Sequence, residues 1–164
     1  MSEGHNPYAP PLAEVKDAPQ TGRELAGRGM RFVSAMVDGL LQFAALWVLS
    51  LALPFSIFNP NPSAGQLVLT MALSLALFLA VQGYLLVQRG QTIAKMLFGL
   101  RIVRRDGSKV DAARILGLRY GLGFVITVIP FIGMIYALID CLLIFRDSRQ
   151  CLHDTIADTI VVRA

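Results

Sequence analysis

Charge is scarce in this chain. Only 16% of its 164 residues are Asp, Glu, Lys or Arg, where a soluble globular domain averages about 25%. That argues against an ordinary water-soluble domain, the more so because 55% of the residues are hydrophobic and the mean hydropathy is +0.59. Cysteine is nearly absent. Cys141 and Cys151 stand about ten residues apart, which gives neither a metal-binding spacing nor a disulfide framework. The plain reading is two reduced thiols used as small packing residues. Aromatic residues do not interleave with basic ones, so the net charge of +4 and the pI near 9.4 do not indicate nucleic acid. The Lys and Arg residues instead flank apolar runs, as topology signals and contacts to anionic lipid do. No secretory leader is expected: the first apolar run starts near residue 32, is too long, and lacks a small-residue cleavage site.

What the chain has is long apolar runs. The first span is expected at 31–53, with Pro54 as its stop, and the second at 67–87. About 22 residues at about 1.5 Å each cross a hydrocarbon core of about 30 Å. Trp47 belongs toward the far interface. The loop between the spans, Ser56 to Gln66, holds Asn59, Pro60, Asn61, Pro62 and Gly65 and no charge. The stretch from Gln88 to Arg119 is rich in Lys and Arg, which places it in the cytoplasm and the Asn/Pro loop outside. Leu116 to Phe145 is apolar but interrupted by Pro130 and Gly133, a good place for a turn. Two short helices are therefore expected, at 112–129 and 131–145, the first capped at Ser108 with Asp111 three residues on. Gly99 to Arg105 alternates, carries β-branched residues and is followed by the turn pair Asp106-Gly107. Thr159 to Arg163 has the same character, and the two are expected to pair as a small cytoplasmic β element, which requires them to share one side of the membrane.

The fold class is thus an all-α membrane protein: a four-helix transmembrane bundle whose third and fourth helices form a short hairpin, with a small cytoplasmic β element and both termini cytoplasmic. Residues 1–24, with Pro7, Pro10, Pro11 and Pro19, read as a disordered cytoplasmic tail. Residues 25–164 form the transmembrane domain.

Acidic residues lie inside these runs. Arg31, Ser34, Asp38 and Gln42 recur at i, i+3, i+7 and i+11, which at about 100° per residue is one helix face. Asp140 lies in the fourth span, with Tyr136 four residues before it on the same face. Thr70, Ser74 and Gln82 share a broad face of the second span. Asp38, Gln42, Gln82 and Asp140 can then turn to a common interior. Carboxylate and amide oxygens suit hard cations, and intramembrane acids lean toward function. On this reading Asp38 is the main ionisable ligand, Asp140 and Gln42 assist, and Arg31 is the counter-charge at the cytoplasmic mouth. The plainer alternative is that an Arg such as Arg28, Arg31 or Arg119, or hydroxyl groups, holds each Asp and merely fixes helix packing. Gly117 and Gly121, and the series Gly133, Ala137, Cys141, indicate close helix contacts. His153 and Asp154 stand together, but no nucleophile motif and no second His cluster accompany them. No catalytic role is assigned. Asp154 has two other readings: capping the turn Thr155 to Asp158, or pairing with a basic residue of the Gln88 to Arg119 stretch.

Three ordered motifs resemble the RDD family of bacterial membrane proteins, named for one arginine and two aspartates. They are Arg31-x-x-x-Ala35-x-x-Asp38, then Gly90-Gln91-Thr92-x-x-Lys95-x-x-x-Gly99-Leu100-Arg101-Ile102-Val103, then Arg149-Gln150-x-Leu152-His153-Asp154-x-x-Ala157-x-Thr159. The resemblance covers about 25–163. It implies Arg31 and Asp38 as the first two signature residues and Asp154 as the third, with Asp140 as contender. It adds Gln91, Thr92 and Lys95 as structural polar positions. The chain departs from the family pattern at Ala94 and at Asp158, where glycine is usual. The family implies a bacterial inner membrane and a proposed transport role, with some members linked to sodium/proton exchange. A cation transporter or proton-coupled ion exchanger is therefore expected. Its partners would be the bilayer and a monovalent cation or proton. It would work as a homo-oligomer, because four helices enclose little polar volume. No cofactor or enzymatic activity is expected, and the metal question stays open. The alternative is a non-transporting scaffold that binds another protein through its cytoplasmic face and the Gly90-Gln91-Thr92 motif.

Overall fold

A computed structural model describes residues 22–127, 129 and 131–164. The tail reading for the first 21 residues and the turn at Pro130 lie outside these. Among the described residues two helices are long and apolar enough to cross a bilayer: α1, Arg28–Ala52, and α2, Ala64–Arg89. α1 starts three residues before the expected 31–53 and ends one residue short of it, and α2 encloses the expected 67–87. They are not core helices of a soluble protein. Hardly any of their apolar stretches is buried, and Leu40, Phe43, Trp47, Leu51 and Val68 lie open on their surfaces. Side chains of that kind, bare over two long helices, fit acyl chains as their solvent.

The pairings along α1 and α2 show how they run. Asp38 meets Gln82 and Gln42 meets Ser74. Moving up one helix moves down the other, so the two are antiparallel. The uncharged loop between them is braced by Gln66, whose amide donates to Ser56 O and accepts from Asn59. Ser63 caps α2 by accepting from Gln66 N. Near its end α2 loosens into a π-helical turn, Leu79–Gly83, and then tightens again over Tyr84–Arg89. It stops at Gly90, whose φ of +65° suits glycine. A Cβ there would also lie 2.5 Å from the carbonyl oxygen of Ile102, where the next strand folds back to bond Gly90 O.

A five-residue helix, α3 (Ile93–Leu97), leads into β1 (Leu100–Arg104). Next come a π-helical stretch, Ala113–Gly121, continuing as α-helical Leu122–Thr127 (together α4), and α5, Ile132–Phe145. The π stretch ends on Gly121, where a Cβ would meet Leu116 O at 2.9 Å. The expected cap moves: Asp111, not Ser108, accepts from the first turn, at Arg114 N. The expected close packing at Gly133 is used inside the chain, since a Cβ there would strike Thr127 backbone at 2.7 Å. The four-helix picture is reached in part: α5 is an apolar helix shorter than the spanning length, and α4 is also short.

The chain closes with α6 (Leu152–Ile156) and β2 (Thr159–Arg163). β1 and β2 pair antiparallel, as expected, with Leu100 opposite Arg163 and Ile102 opposite Val161. Leu25 bridges Val162, and Ala26 N–H donates to Val161 O. The start of α1, the end of α2 and the chain end therefore meet at one pole. The buried apolar core gathers there, from Ala26, Leu86, Leu100, Ile102, Val110, Ile115 and Val161.

Candidate functional site

A five-residue helix leaves most of its backbone donors unpaired, and α3 recruits three side chains to meet its first turn. Ile93 N–H donates to Gln82 Oε1 at 2.9 Å. Ala94 N–H donates to Asp38 Oδ1 at 3.1 Å. Lys95 N–H donates to Thr92 Oγ1 at 3.2 Å, and the Thr92 hydroxyl gives its own proton to Asp38. Gln82 Nε2 donates to Asp38 Oδ1 at 3.2 Å, and Lys95 Nζ lies 3.5 Å from Asp38 Oδ2. Asp38, Gln82, Thr92 and Lys95, drawn from α1, α2 and α3, thus form one knot around a mostly buried carboxylate.

The expected role of Arg31 needs correction. Seven residues along α1 rise about 10 Å, so Arg31 and Asp38 share a face but work at different levels. Arg31 pairs with Asp154 and donates to Arg149 O. The counter-charge of Asp38 is Lys95. Asp154 is fully buried, and Arg119 also pairs with it while donating to Thr159. Its Oδ2 accepts Cys151 N–H at 3.1 Å, which ties the start of α6. Burial by itself would raise this carboxyl, but the guanidiniums of Arg119 and Arg31 outweigh it and hold Asp154 well below the usual carboxylate range. Of the two readings for Asp154, pairing with the basic stretch is realised, through Arg119. The three named signature residues therefore serve two centres: Arg31 with Asp154, and Asp38 with Lys95.

Asp140 joins neither. Both its oxygens face His153 Nδ1, at 2.8 and 2.7 Å, and Oδ1 accepts His153 N–H at 3.0 Å. Asp140 and Asp38 nevertheless line the same cavity of about 430 Å³, together with Arg31, Lys95, Arg119 and His153. Gln42 is separate; its amide donates to Ser74 O and staples α1 to α2. Gln91 turns to Leu100 O at 2.8 Å. The sequence placed the acids on the interior face and offered Arg119 among the cations for them, but it did not show Lys95 as partner of Asp38, Arg31 as second partner of Asp154, or the meeting of Asp140 with His153 and Cys151. A signal existed for the first: Thr92 three residues before Lys95 is a helix start, and a buried helix start attracts a carboxylate.

The model of the RDD family matches residues 25–158, which takes in all three motifs up to Asp158. A relative from Bacillus subtilis (strain 168), called uncharacterized protein YckC, is 37% identical over 76 residues, 46% of this chain and 49% of that protein. The match thus spans about half of that relative's length. No solved structure matches the chain.

Proposed function

The chain belongs to the RDD family, a membrane-associated family, and from that premise we propose that it exchanges a monovalent cation for a proton at Asp38. The observation that carries this reading is the Asp38–Lys95 pair on the wall of a shared cavity. A cation that approaches Asp38 competes with the Lys95 ammonium. If Lys95 releases its proton to water as the cation binds, the charge of the knot is unchanged. One cation then moves against one proton, and the reverse step restores the ion pair. Thr92 and Gln82 hold the carboxylate in place in both states. Asp140 and His153 offer a second protonatable pair on the same wall. In this proposal the protein sits in a bacterial inner membrane with both termini cytoplasmic. The short pair α4 and α5 enters the bilayer beside α1 and α2 as a hairpin, and a homo-oligomer completes the passage.

The test uses purified protein in liposomes, with a pH indicator inside and a sodium or potassium gradient across the membrane. Wild type should show cation-driven proton movement, and Asp38→Asn and Lys95→Gln should abolish it while still inserting. Normal flux in Asp38→Asn would end the proposal. The scaffold alternative predicts no flux from any variant and loss of a co-purifying protein when 91–95 are altered. Against it stands the internal use of that segment, since Gln91, Thr92 and Lys95 all bond within the chain. A reporter fused after Ala164 should read cytoplasmic, and a periplasmic signal would contradict the four-helix arrangement.

A further inference from the structure

The cavity brings together three side chains outside the Asp38–Lys95 pair: Asp140 near the end of α5, and Cys151 and His153 at the start of α6. One ligand atom from each lies within 4.8 Å of the others. We propose that Asp140, Cys151 and His153 form a binding site for a borderline divalent metal ion such as Zn²⁺, with its fourth position open to the cavity. The inference is independent of exchange at Asp38.

The donor set argues for the class of ion. One thiolate, one imidazole and one carboxylate suit Zn²⁺ or Co²⁺ and do not suit Na⁺, Mg²⁺ or Ca²⁺, which take oxygen. The His153–Asp140 pair is close to what is needed, and the Cys151 thiol lies within 4.8 Å of it. With bonds of about 2.0–2.2 Å, tetrahedral N and O ligands stand about 3.3 Å apart. His153 Nδ1 and Asp140 Oδ2 stand at 2.7 Å, so the pair opens by about half an ångström to admit the ion, and the neutral ring then carries its proton on Nε2.

The outer groups are set for it. His153 Nε2 lies 3.7 Å from Asp154 Oδ1, outside hydrogen-bond distance but on the side from which a carboxylate steadies a metal-bound ring. His153 N–H steadies Asp140 Oδ1. Arg31 lies 3.6 Å from Cys151 Sγ and favours the thiolate. Burial, and after it the charge of Asp154, push the Cys151 thiol up to about 12. Metal binding must therefore expel that proton: thiol plus M²⁺ gives thiolate–M plus H⁺, and the local charge rises by one rather than two. Arg31 and Arg119 against Asp154 leave one positive charge, which Asp140 offsets. The Asp38–Lys95 pair is neutral. No uncompensated cation surplus opposes the ion.

The experiment is a Co²⁺ titration of the full chain purified in detergent. One equivalent should produce a thiolate-to-cobalt charge-transfer band with tetrahedral d–d bands, release one proton in weak buffer, and be displaced by Zn²⁺. Cys151→Ser should remove the charge-transfer band. His153→Ala should weaken binding at least about tenfold, and Cys141→Ser should change neither. Because a variant at α6 could fail to fold, the wild-type protein is also alkylated with and without Zn²⁺. The ion should protect Cys151 and leave Cys141 as reactive as before. Absence of a thiolate–cobalt band, a band retained in folded Cys151→Ser, or no protection of Cys151 would each overturn the site.

Discussion

Asp38 and Asp154 are the same residue type, both belong to the family's motifs, and the fold treats them in opposite ways. Asp154 is fully buried at the pole where the strands meet, between two guanidiniums, with Cys151 N–H on one oxygen. Asp38 is about one-sixth exposed along its side chain, holds a single ammonium at 3.5 Å, and is otherwise met by neutral donors. A charge with two fixed, planar partners and no water is difficult to release. A charge with one flexible partner beside a cavity is not. The comparison assigns structure to the first centre and leaves the second available for the exchange we propose.

The largest effect that tests this contrast is Asp154→Asn. It leaves Arg31 and Arg119 buried without a counter-charge and should cost about 3–5 kcal/mol, read as a large fall in Tm in detergent or failure to accumulate. Asp38→Asn keeps the acceptor for Ala94 N–H and should cost about 1–2 kcal/mol. Equal losses would erase the distinction. Acid offers a second handle. The folded-state value of Asp154 lies well below that of an unfolded carboxylate, so its stabilisation is complete above about pH 4. It is lost only as pH falls through the depressed folded-state value. Wild type should keep its Tm between pH 7 and 5 as far as this group is concerned and lose stability below about pH 4. Asp154→Asn should lack that component of acid sensitivity.

A smaller effect sharpens the other side. Thr92 accepts from Lys95 N and donates to Asp38. Thr92→Val keeps the volume and loses both bonds, at about 1–2 kcal/mol. Thr92→Ser retains the hydroxyl and should recover most of the stability. If Val behaves like Ser in thermal unfolding, the knot around Asp38 does not depend on this hydroxyl.

The long runs, the β pairing and the inward stripe on the first span were all legible, because each depends on local periodicity and on solvent. Which cation meets which carboxylate was not. Arg31 and Asp38 share a face, and nothing local says that α3 brings Lys95 to one while α6 brings Asp154 to the other. The π-helical turn that carries Gln82 has no compositional mark. The Asp140, Cys151, His153 cluster was hidden for a similar reason: its ligands come from two elements, so no two cysteines and no regular spacing announce it.

The family departure at Asp158 yields the smallest prediction, and its sign is opposite to the others. The resemblance implies glycine at this position, and Asp158 has φ of +52°, the left-handed region that glycine enters without cost. Aspartate tolerates it better than most residues, and Asp158 gains weak contacts to Arg104 and Arg114, at 3.9 and 3.8 Å. Those pairs are partly exposed and contribute little. Asp158→Gly should therefore raise stability by up to about 1 kcal/mol, seen as a small rise in Tm, with the strand from Thr159 unchanged. Such a gain would place the strain at the turn and leave the Asp154 centre, four residues earlier, undisturbed. A fall in Tm would mean instead that Arg104 and Arg114 depend on Asp158, and that the buried centre extends out to the surface of the turn.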